Sequence, residues 1–182
     1  LRCVRFASRF GWEISAETYS GMIRNVSRLS IITSERIREE LFKMLTGPRP
    51  VMAMELLRNT GAMHYVIPEF DASFDMTQNE YHSGTVWEHT LAVVGGVAGS
   101  DLEICLAALL HDIGKTVTRT ESEGKVHFIE HEAAGARIAE TIMRRLHCSN
   151  EFIKQVSFLI RHHMDVKPYG SLAEKLKPKR LR

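Results

Sequence analysis

The sequence predicts an all-α protein in which a helical bundle follows a smaller helical segment, with at most one short β-hairpin. Apolar residues recur mostly at the spacing of helix faces, and strand-like alternation is confined to one stretch in the second half of the chain. The 182 residues are 44% apolar and 25% charged. This composition is ordinary for a globular protein and excludes disordered and collagen-like chains.

The first long helix and its successor carry clear start and stop signals. Four apolar side chains follow the i, i+4, i+7, i+8 spacing of one helix face: Ile37, Leu41, Met44 and Leu45. Ser34 is a suitable N-cap for this helix, and Gly47 with Pro48 ends it. A second helix is expected over residues 50–60, with Gly61 at its C′ position.

The later part of the chain predicts four more helices, over residues 85–98, 101–112 and 131–146 and after the N-cap candidate Ser149. The stretch from Thr116 to Phe128 contains two strand-like runs around a polar turn, which favours a short hairpin. Residues 68–84 mix aspartate, serine and asparagine with isolated aromatics and show no period. We interpret them as a loop or linker.

Charge is distributed unevenly along the chain. Residues 1–60 contain ten Lys and Arg against six Asp and Glu, residues 61–130 three against eleven, and residues 131–182 eleven against five. An acidic centre suits a bound cation, and basic flanks suit a polyanion such as RNA. Solvated helix faces explain the flanks equally well, so both interpretations stay open.

Cysteine usage and hydropathy indicate the compartment. Cys3, Cys105 and Cys148 are widely spaced without a CxxC pattern, which favours a reducing, cytoplasmic environment. No run approaches the roughly 18 apolar residues of a membrane span, so no membrane association is expected. The chain begins with Leu1 and not with Met, so we expect a processed, trimmed or partial protein.

The sharpest local signal is the run His111-Asp112-Ile113-Gly114-Lys115 at the end of an apolar helix. A charge beside the core is costly, and a divalent metal removes this cost because neutral imidazole and carboxylate both bind it. Alone, the pair favours a hydrogen-bonded histidine and a solvated or capping aspartate over a metal site. The context favours a metal, because three further helices carry histidines near an end or on an apolar stripe: His89, His131 and His162.

The order of these residues resembles the HD superfamily of metal-dependent phosphohydrolases, over roughly residues 80–165. The resemblance implies an HD-domain helical bundle that holds a divalent ion between helices: Mg, Mn, Ni, Co, Fe or Zn. It assigns His89, His111 and Asp112 to the first ion. It assigns His131 and His162 to a second ion or to phosphate.

Two ligand positions stay open in this comparison. His163 competes with His162 for the same role. The family usually closes its first metal site with a later aspartate, but Asp165 lies too close to His162 to resemble that ligand. Glu174 is a weaker candidate, and the ligand otherwise lies beyond Arg182.

A second resemblance covers the N-terminal third. Residues 2–14 (RCVRFASRFGWEI), 34–41 (SERIREEL) and 81–90 (YHSGTVWEHT) resemble bacterial tRNA nucleotidyltransferases, the CCA-adding and poly(A) polymerase-like group. This implies a helical neck/body fragment over residues 1–66, an HD domain over residues 67–182, and tRNA or another RNA as partner. The sequence has no paired-carboxylate Mg²⁺ site of a catalytic head, so we expect no nucleotide addition by this chain alone.

Asp112 and Lys115 are the candidate catalytic residues. Lys115 is placed either to contact a phosphate oxygen or to act as a cation at a helix C-terminus. Arg2, Arg5 and Arg9 fall on one face if their segment is helical, and the resemblance implies that they bind RNA or nucleotide phosphate. A solvent face or a packing face explains them as well.

Two functions are compatible with these patterns. The first is metal-dependent hydrolysis of phosphate esters: 2′,3′-cyclic phosphates, 2′-nucleotides or RNA ends. The second is a non-catalytic tRNA-binding body in which the HD pocket is a relic. A homo-oligomer is compatible with either. Phe6, Phe10 and Trp12 are expected to be core side chains and not base-stacking platforms.

Overall fold

A computed structural model describes residues 1–78 and 84–165 of the chain. These residues form helices and one two-stranded antiparallel sheet, which confirms the all-α class with a hairpin. The helices are α1 (Arg2–Phe10), α2 (Ala16–Arg24), α3 (Ser34–Leu45), α4 (Pro50–Asn59), α5 (Ala62–Val66), α6 (Val86–Gly96), α7 (Leu102–Leu110), α8 (Lys115–Thr118), α9 (His131–Arg145) and α10 (Asn150–Arg161). Two 3₁₀ helices cover Val26–Ile31 and Pro68–Ser73. None of the described helices is long and apolar enough to cross a bilayer.

The expected helix boundaries agree with the structure to within two residues. Helix α3 begins at Ser34 itself, and Thr33 occupies the N-cap position that we expected for Ser34. Gly61 has φ 74° and turns the chain from α4 into α5. The Ser149 side chain caps α10 by accepting a hydrogen bond from the Phe152 amide at 3.3 Å.

Helix α7 lies at the centre of the core. Its side chains Leu106, Leu109 and Leu110 are fully buried, and it packs against α3, α6 and α10. One hydrophobic cluster contains side chains from α1, α3 and α4 together with side chains from α6, α7, α9 and α10. The core therefore continues across the expected boundary between residues 1–66 and 67–182, and that division stays a prediction.

The hairpin is shorter than the strand-like stretch of the sequence. Lys115–Thr118 first forms helix α8, and the strands β1 (Arg119–Ser122) and β2 (Lys125–Phe128) follow it. Glu123 and Gly124 join the strands with φ values of 53° and 72°. Two positive φ values are typical of the tight type I′ turn that matches the twist of a two-stranded hairpin.

The stretch interpreted as a loop, residues 68–84, packs against the helical bundle where the structure describes it. Phe70 and Phe74 contact the ring of Trp87 edge-on, with centroid distances of 5.3 and 5.0 Å. A single β-bridge also pairs Thr77 with Thr85. The isolated aromatics of this irregular segment therefore fix it to the start of α6, close to the site described below.

Candidate metal centre

Four imidazole rings surround the carboxylate of Asp112, which is buried with 2% of its surface exposed. The distances from Nε2 to a carboxylate oxygen of Asp112 are 3.5 Å for His89, 3.2 Å for His111, 3.4 Å for His131 and 3.8 Å for His163. We call these five residues the histidine cluster. The structure thus brings together four of the five expected metal ligands and adds His163.

Each ring of the cluster comes from a different part of the bundle. His89 lies on α6, His111 directly follows α7, His131 is the first residue of α9, and His163 lies two residues after the end of α10. Helix α7 packs against both α6 and α10, and α9 packs against α10. The packing of these helices therefore converts widely separated positions in the sequence into one group of side chains.

Two glycines allow α9 to approach the end of α7 closely. A Cβ atom on Gly114 would lie 2.0 Å from the carbonyl oxygen of His131 and 2.5 Å from the amide nitrogen of Gly135. A Cβ atom on Gly135 would lie 3.2 Å from the amide nitrogen of Gly114. Because no side chain fits between the two backbones at Gly114, this contact sets the separation of Asp112 and His131.

Three rings of the cluster use Nδ1 in the same way, each meeting the backbone carbonyl three residues earlier. The distances are 2.8 Å from His111 to Ala108, 2.9 Å from His131 to Phe128 and 2.7 Å from His163 to Ile160. A carbonyl oxygen only accepts hydrogen bonds, so Nδ1 must carry the proton in each ring. A neutral ring of this tautomer presents a lone pair at Nε2, on the side that faces Asp112.

These lone pairs and the carboxylate require a positive charge between them. Nε2 of His131 lies 3.3 Å from Nε2 of His163, and neither nitrogen has a proton to donate while both rings are neutral. A proton on one ring or a shared metal ion removes the repulsion. The Nδ1–carbonyl contacts are also the kind of support that orients metal-binding histidines in proteins.

The donor atoms form two groups that could hold an ion, and Asp112 belongs to both. One group is His89, His111 and Asp112, and the other is Asp112, His131 and His163. Within each group the ligand atoms lie within 4.8 Å of one another. Imidazole nitrogen with one carboxylate suits first-row divalent metals, so the residues fit the expected cofactor, without selecting one metal.

Asp112 remains ionised in this environment. Burial by itself raises the pKa of its carboxyl, but the adjacent rings of His111 and His131, which donate to it when they are protonated, and the charge of Lys115 hold that pKa well below its usual range. Burial alone would also lower the pKa of His131, but the hydrogen bond to Asp112 outweighs it, so the pKa is raised. Burial lowers the pKa of His163. His131 is therefore the better proton acceptor of these two rings.

Lys115 is part of the buried surroundings of Asp112. It is 5% exposed, and its Nζ donates hydrogen bonds to Asp112 at 2.7 Å and to Gln78 at 2.8 Å. The ammonium therefore compensates the carboxylate charge and fixes the carboxylate's orientation. Gln78 was not among the expected residues, and no sequence pattern marks it, because it lies in an irregular segment before α6.

His162 lies outside the cluster, so the adjacent His163 occupies the position that we first expected for it. Nδ1 of His162 lies 2.7 Å from the carboxylate of Asp165, and both side chains are exposed. Successive residues at a helix end point in different directions, and only His163 points towards Asp112. Within residues 1–78 and 84–165, Asp112 is the only acidic member of the candidate metal groups. Glu174 lies outside the described residues.

An apolar cavity of about 670 Å³ adjoins the cluster. It lies between α6, α7 and α10, and its apolar lining includes Val93, Val97, Ile104, Phe158 and Leu159. His89, His111, His162 and His163 line it as well. A group that enters this cavity therefore contacts apolar side chains and lies beside the candidate ligands.

The expected phosphate-binding arginines lie on α1. Arg2 and Arg9 are exposed, whereas Arg5 donates a hydrogen bond to Glu40 at 2.7 Å. Two cavities of about 430 and 450 Å³ lie along this helix, and Lys43 lines both, while Glu39 and Glu40 also line the first. Neither lining includes a residue of the histidine cluster. The arginines therefore form a basic surface apart from the candidate metal site.

Phe10 and Trp12 are not core residues, contrary to expectation, and Phe6 is only partly buried. Phe10 is 49% exposed and Trp12 is 60% exposed. Helix α1 buries Val4 and Ala7, and these positions leave Phe6 and Phe10 on another face. The hydrophobicity of these aromatics suggested burial, but the helix phase decides which side chains face the core.

Two families of known proteins match separate parts of the chain. Residues 80–181 match the HD domain. Residues 11–74 match a region described as the probable RNA and SrmB-binding site of polymerase A. The two matches follow one another along the chain, and the HD-domain match contains all five residues of the histidine cluster.

Similar full-length proteins carry names from tRNA maturation. The CC-adding tRNA nucleotidyltransferase of Thermus thermophilus is 32% identical over 179 residues, which cover 92% of this chain and 41% of that protein. The multifunctional CCA protein of Nitrosospira multiformis is 33% identical over 172 residues, covering 91% and 41%. That of Aliivibrio salmonicida is 34% identical over 175 residues, covering 91% and 42%. The chain thus spans about two fifths of the length of these relatives.

Proposed function

Because this chain belongs to the HD-domain family, we propose that Asp112 and the four histidines around it hold a divalent metal ion for the hydrolysis of phosphate esters. One observation carries this proposal. His111, His131 and His163 each donate Nδ1–H to a backbone carbonyl, so their Nε2 lone pairs face one buried carboxylate. Such an arrangement is costly for a packing cluster and suited to a cation.

In this proposal the protein's side chains have separate roles in metal binding, orientation and substrate binding. The imidazoles and Asp112 hold the ion, and a bound divalent ion supplies Lewis acidity towards water and phosphate oxygens. Lys115 fixes the orientation of Asp112 through its hydrogen bond. The adjoining apolar cavity takes the part of the ester that carries no charge, which orients the phosphate at the cluster. The proposed substrates are 2′,3′-cyclic phosphates, 2′-nucleotides or RNA ends.

The test is hydrolysis of a 2′,3′-cyclic nucleotide by the 182-residue chain, first stripped with chelator and then supplied with single divalent metals. Activity is expected only with metal, and Asp112→Asn or His111→Ala is expected to lower it by about a hundredfold or more. Unchanged rates in both variants would refute the hydrolase proposal. Metal content of each purified variant shows whether the lost activity follows lost metal.

His147→Asn is the matched control for these variants. His147 is exposed and lies beyond the far end of the 15-residue helix α9, roughly 20 Å from His131. It has φ 54°, a conformation that asparagine tolerates better than most residues. The variant removes an imidazole without disturbing the cluster, so its metal content and activity are expected to match those of the unaltered chain.

A second function, RNA binding, is favoured by the basic surface of α1. Exposed Arg2 and Arg9 and the cavities shared with Lys43 adjoin the region that matches an RNA-binding family. Since the relatives are named for tRNA nucleotidyl transfer or CCA addition, we propose that the chain acts in the cytoplasm on tRNA as part of such an enzyme. Titration with tRNA at several salt concentrations tests this, because phosphate contacts weaken steeply as salt rises. Binding that does not depend on salt would contradict it.

A further inference from the structure

We propose that Phe6, Phe10 and Trp12 form a stacking platform for an unpaired base of RNA. We call these three residues the aromatic stack. The Phe6 and Phe10 ring centroids lie 6.2 Å apart with an interplanar angle of 14°, and those of Phe10 and Trp12 lie 4.6 Å apart with an angle of 26°. The inference rests on the proposed RNA binding and is independent of the metal centre.

The backbone conformation at the end of α1 places the three rings in this stack. Phe6 and Phe10 are one helical turn apart and lie on the same face. Gly11 has φ 71° and ends the helix, and the Trp12 amide donates to the Ala7 carbonyl at 3.0 Å. This left-handed turn brings the indole back onto the Phe10 ring, so the stack continues past the end of the helix.

The outer end of the stack is open to solvent. Trp12 is 60% exposed although one of its faces lies against Phe10, and Phe10 is itself 49% exposed. Planar rings in a near-parallel stack offer a further planar group the same contact that they make with each other. Every nucleobase has such a face, so base–aromatic stacking tolerates any sequence.

The charge around the stack favours a nucleotide as the stacked group. The guanidinium of Arg2 lies 5.8 Å from the centroid of Phe6, and that of Arg9 lies 5.7 Å from the centroid of Phe10. Arg49 donates to the Arg9 carbonyl at 3.2 Å and lies against Gly11. Exposed aromatics with arginines alongside are the combination by which proteins bind single-stranded nucleic acid: the rings contact bases and the cations contact phosphates.

The experiment titrates the 182-residue chain with a short single-stranded oligoadenylate and, separately, with a blunt RNA duplex of the same length. Binding of the single strand is expected to alter the fluorescence of exposed Trp12, whereas Trp87 is fully buried. The duplex, whose base faces are covered, is expected to bind more weakly. Trp12→Leu is expected to weaken single-strand binding about tenfold or more, and Trp12→Phe to restore most of it.

Salt dependence separates stacking from phosphate contacts. Trp12→Leu is expected to leave the slope of log K against log salt unchanged, whereas Arg9→Gln is expected to reduce it by about 0.7. Ile31→Ala is the matched control, since Ile31 is another exposed apolar residue of the same region and its loss is expected to change neither quantity.

Three outcomes decide the question. Loss of affinity in Trp12→Leu at constant salt slope supports the platform. Equal affinity of Trp12→Leu and the unaltered chain overturns it while RNA binding stands, and the exposed rings then serve a contact with protein. If the unaltered chain binds neither RNA at low salt, the proposed RNA binding itself fails, and the platform fails with it.

Discussion

The Nε2 atoms of His131 and His163 lie 3.3 Å apart, and each ring donates its Nδ1–H to a backbone carbonyl. Two like lone pairs at this distance, both beside the carboxylate of Asp112, repel each other unless a cation lies among them. The two helices that carry these rings, α9 and α10, are held together by their own apolar contacts. The pair is therefore set by the fold and available for a ligand that supplies positive charge.

Divalent metal is expected to stabilise the folded chain. An ion that binds only the folded state at a hundred times its Kd adds about 2.7 kcal/mol, or roughly 5–10 °C in Tm for a protein of this size. His163→Ala is expected to remove most of this shift, because one of the two metal groups loses a ligand. Thermal unfolding with and without metal measures it. If His162→Ala abolishes the shift and His163→Ala retains it, the assignment of the two neighbours is reversed.

Metal affinity is expected to fall as pH decreases. The pKa of His131 is raised by its hydrogen bond to Asp112, so this ring keeps its proton to a higher pH than an ordinary histidine. Below that pKa the ion must displace the proton, which costs about a tenfold loss of apparent affinity per pH unit. The pKa of His163 is lowered by burial, so this ring loses its proton at a lower pH than His131 does. Calorimetric titration in buffers of different ionisation enthalpy measures the released proton, and an affinity independent of pH contradicts the prediction.

Loss of the Lys115 ammonium is expected to destabilise the metal-free chain. Lys115→Met leaves the buried carboxylate of Asp112 without a neighbouring fixed cation, at a cost of about 3 kcal/mol. Added divalent metal is expected to recover part of this loss, since the ion neutralises the same carboxylate. Urea unfolding measures both effects. Lys154→Met, at an exposed position of α10, is the control and is expected to change stability by less than about 0.5 kcal/mol.

A side chain at Gly114 is expected to force α9 away from the end of α7. Gly114→Ala places a methyl group where the His131 carbonyl and the Gly135 amide already lie, with an expected cost of about 3 kcal/mol or more. Gly96→Ala is the matched control. Its Cβ would meet nothing within 4 Å, and alanine in a helix is expected to add about 0.5–1 kcal/mol of stability. Equal stability of the two variants would show that the backbones separate without cost.

Local sequence signals predicted the helices well because each depends on nearby residues. The apolar spacing within α3, the cap at Ser149 and the turn at Gly61 need no information from the rest of the fold. The strand-like stretch was less decisive, because its first residues complete a helical turn after Gly114 before the hairpin begins. Strand β1 is exposed and β2 is only partly buried at alternate residues, so little burial fixes the limits of the strands.

The aromatic stack shows that the hydrophobicity of a residue does not by itself predict its burial. Phe10 and Trp12 are among the most hydrophobic residues of the first segment, and burial was the natural expectation. Val4 and Ala7 instead face the core, and the phase of one short helix leaves the aromatics outside. Which face of a helix packs inward depends on its neighbours, and no property of the isolated segment decides it.

The sequence by itself determined the chemistry of this protein: helices that end in histidines, one aspartate after an apolar helix, and basic flanks around an acidic centre. It favoured His162 over the adjacent His163, which was only the competing candidate. Only the tertiary structure decided between them and added Gln78 and Lys115 as the buried neighbours of Asp112. The physical reason is that residue types and spacings fix which ligands are available. The direction in which each side chain points is set by how the helix ends pack, and here a backbone contact at Gly114 fixes that packing.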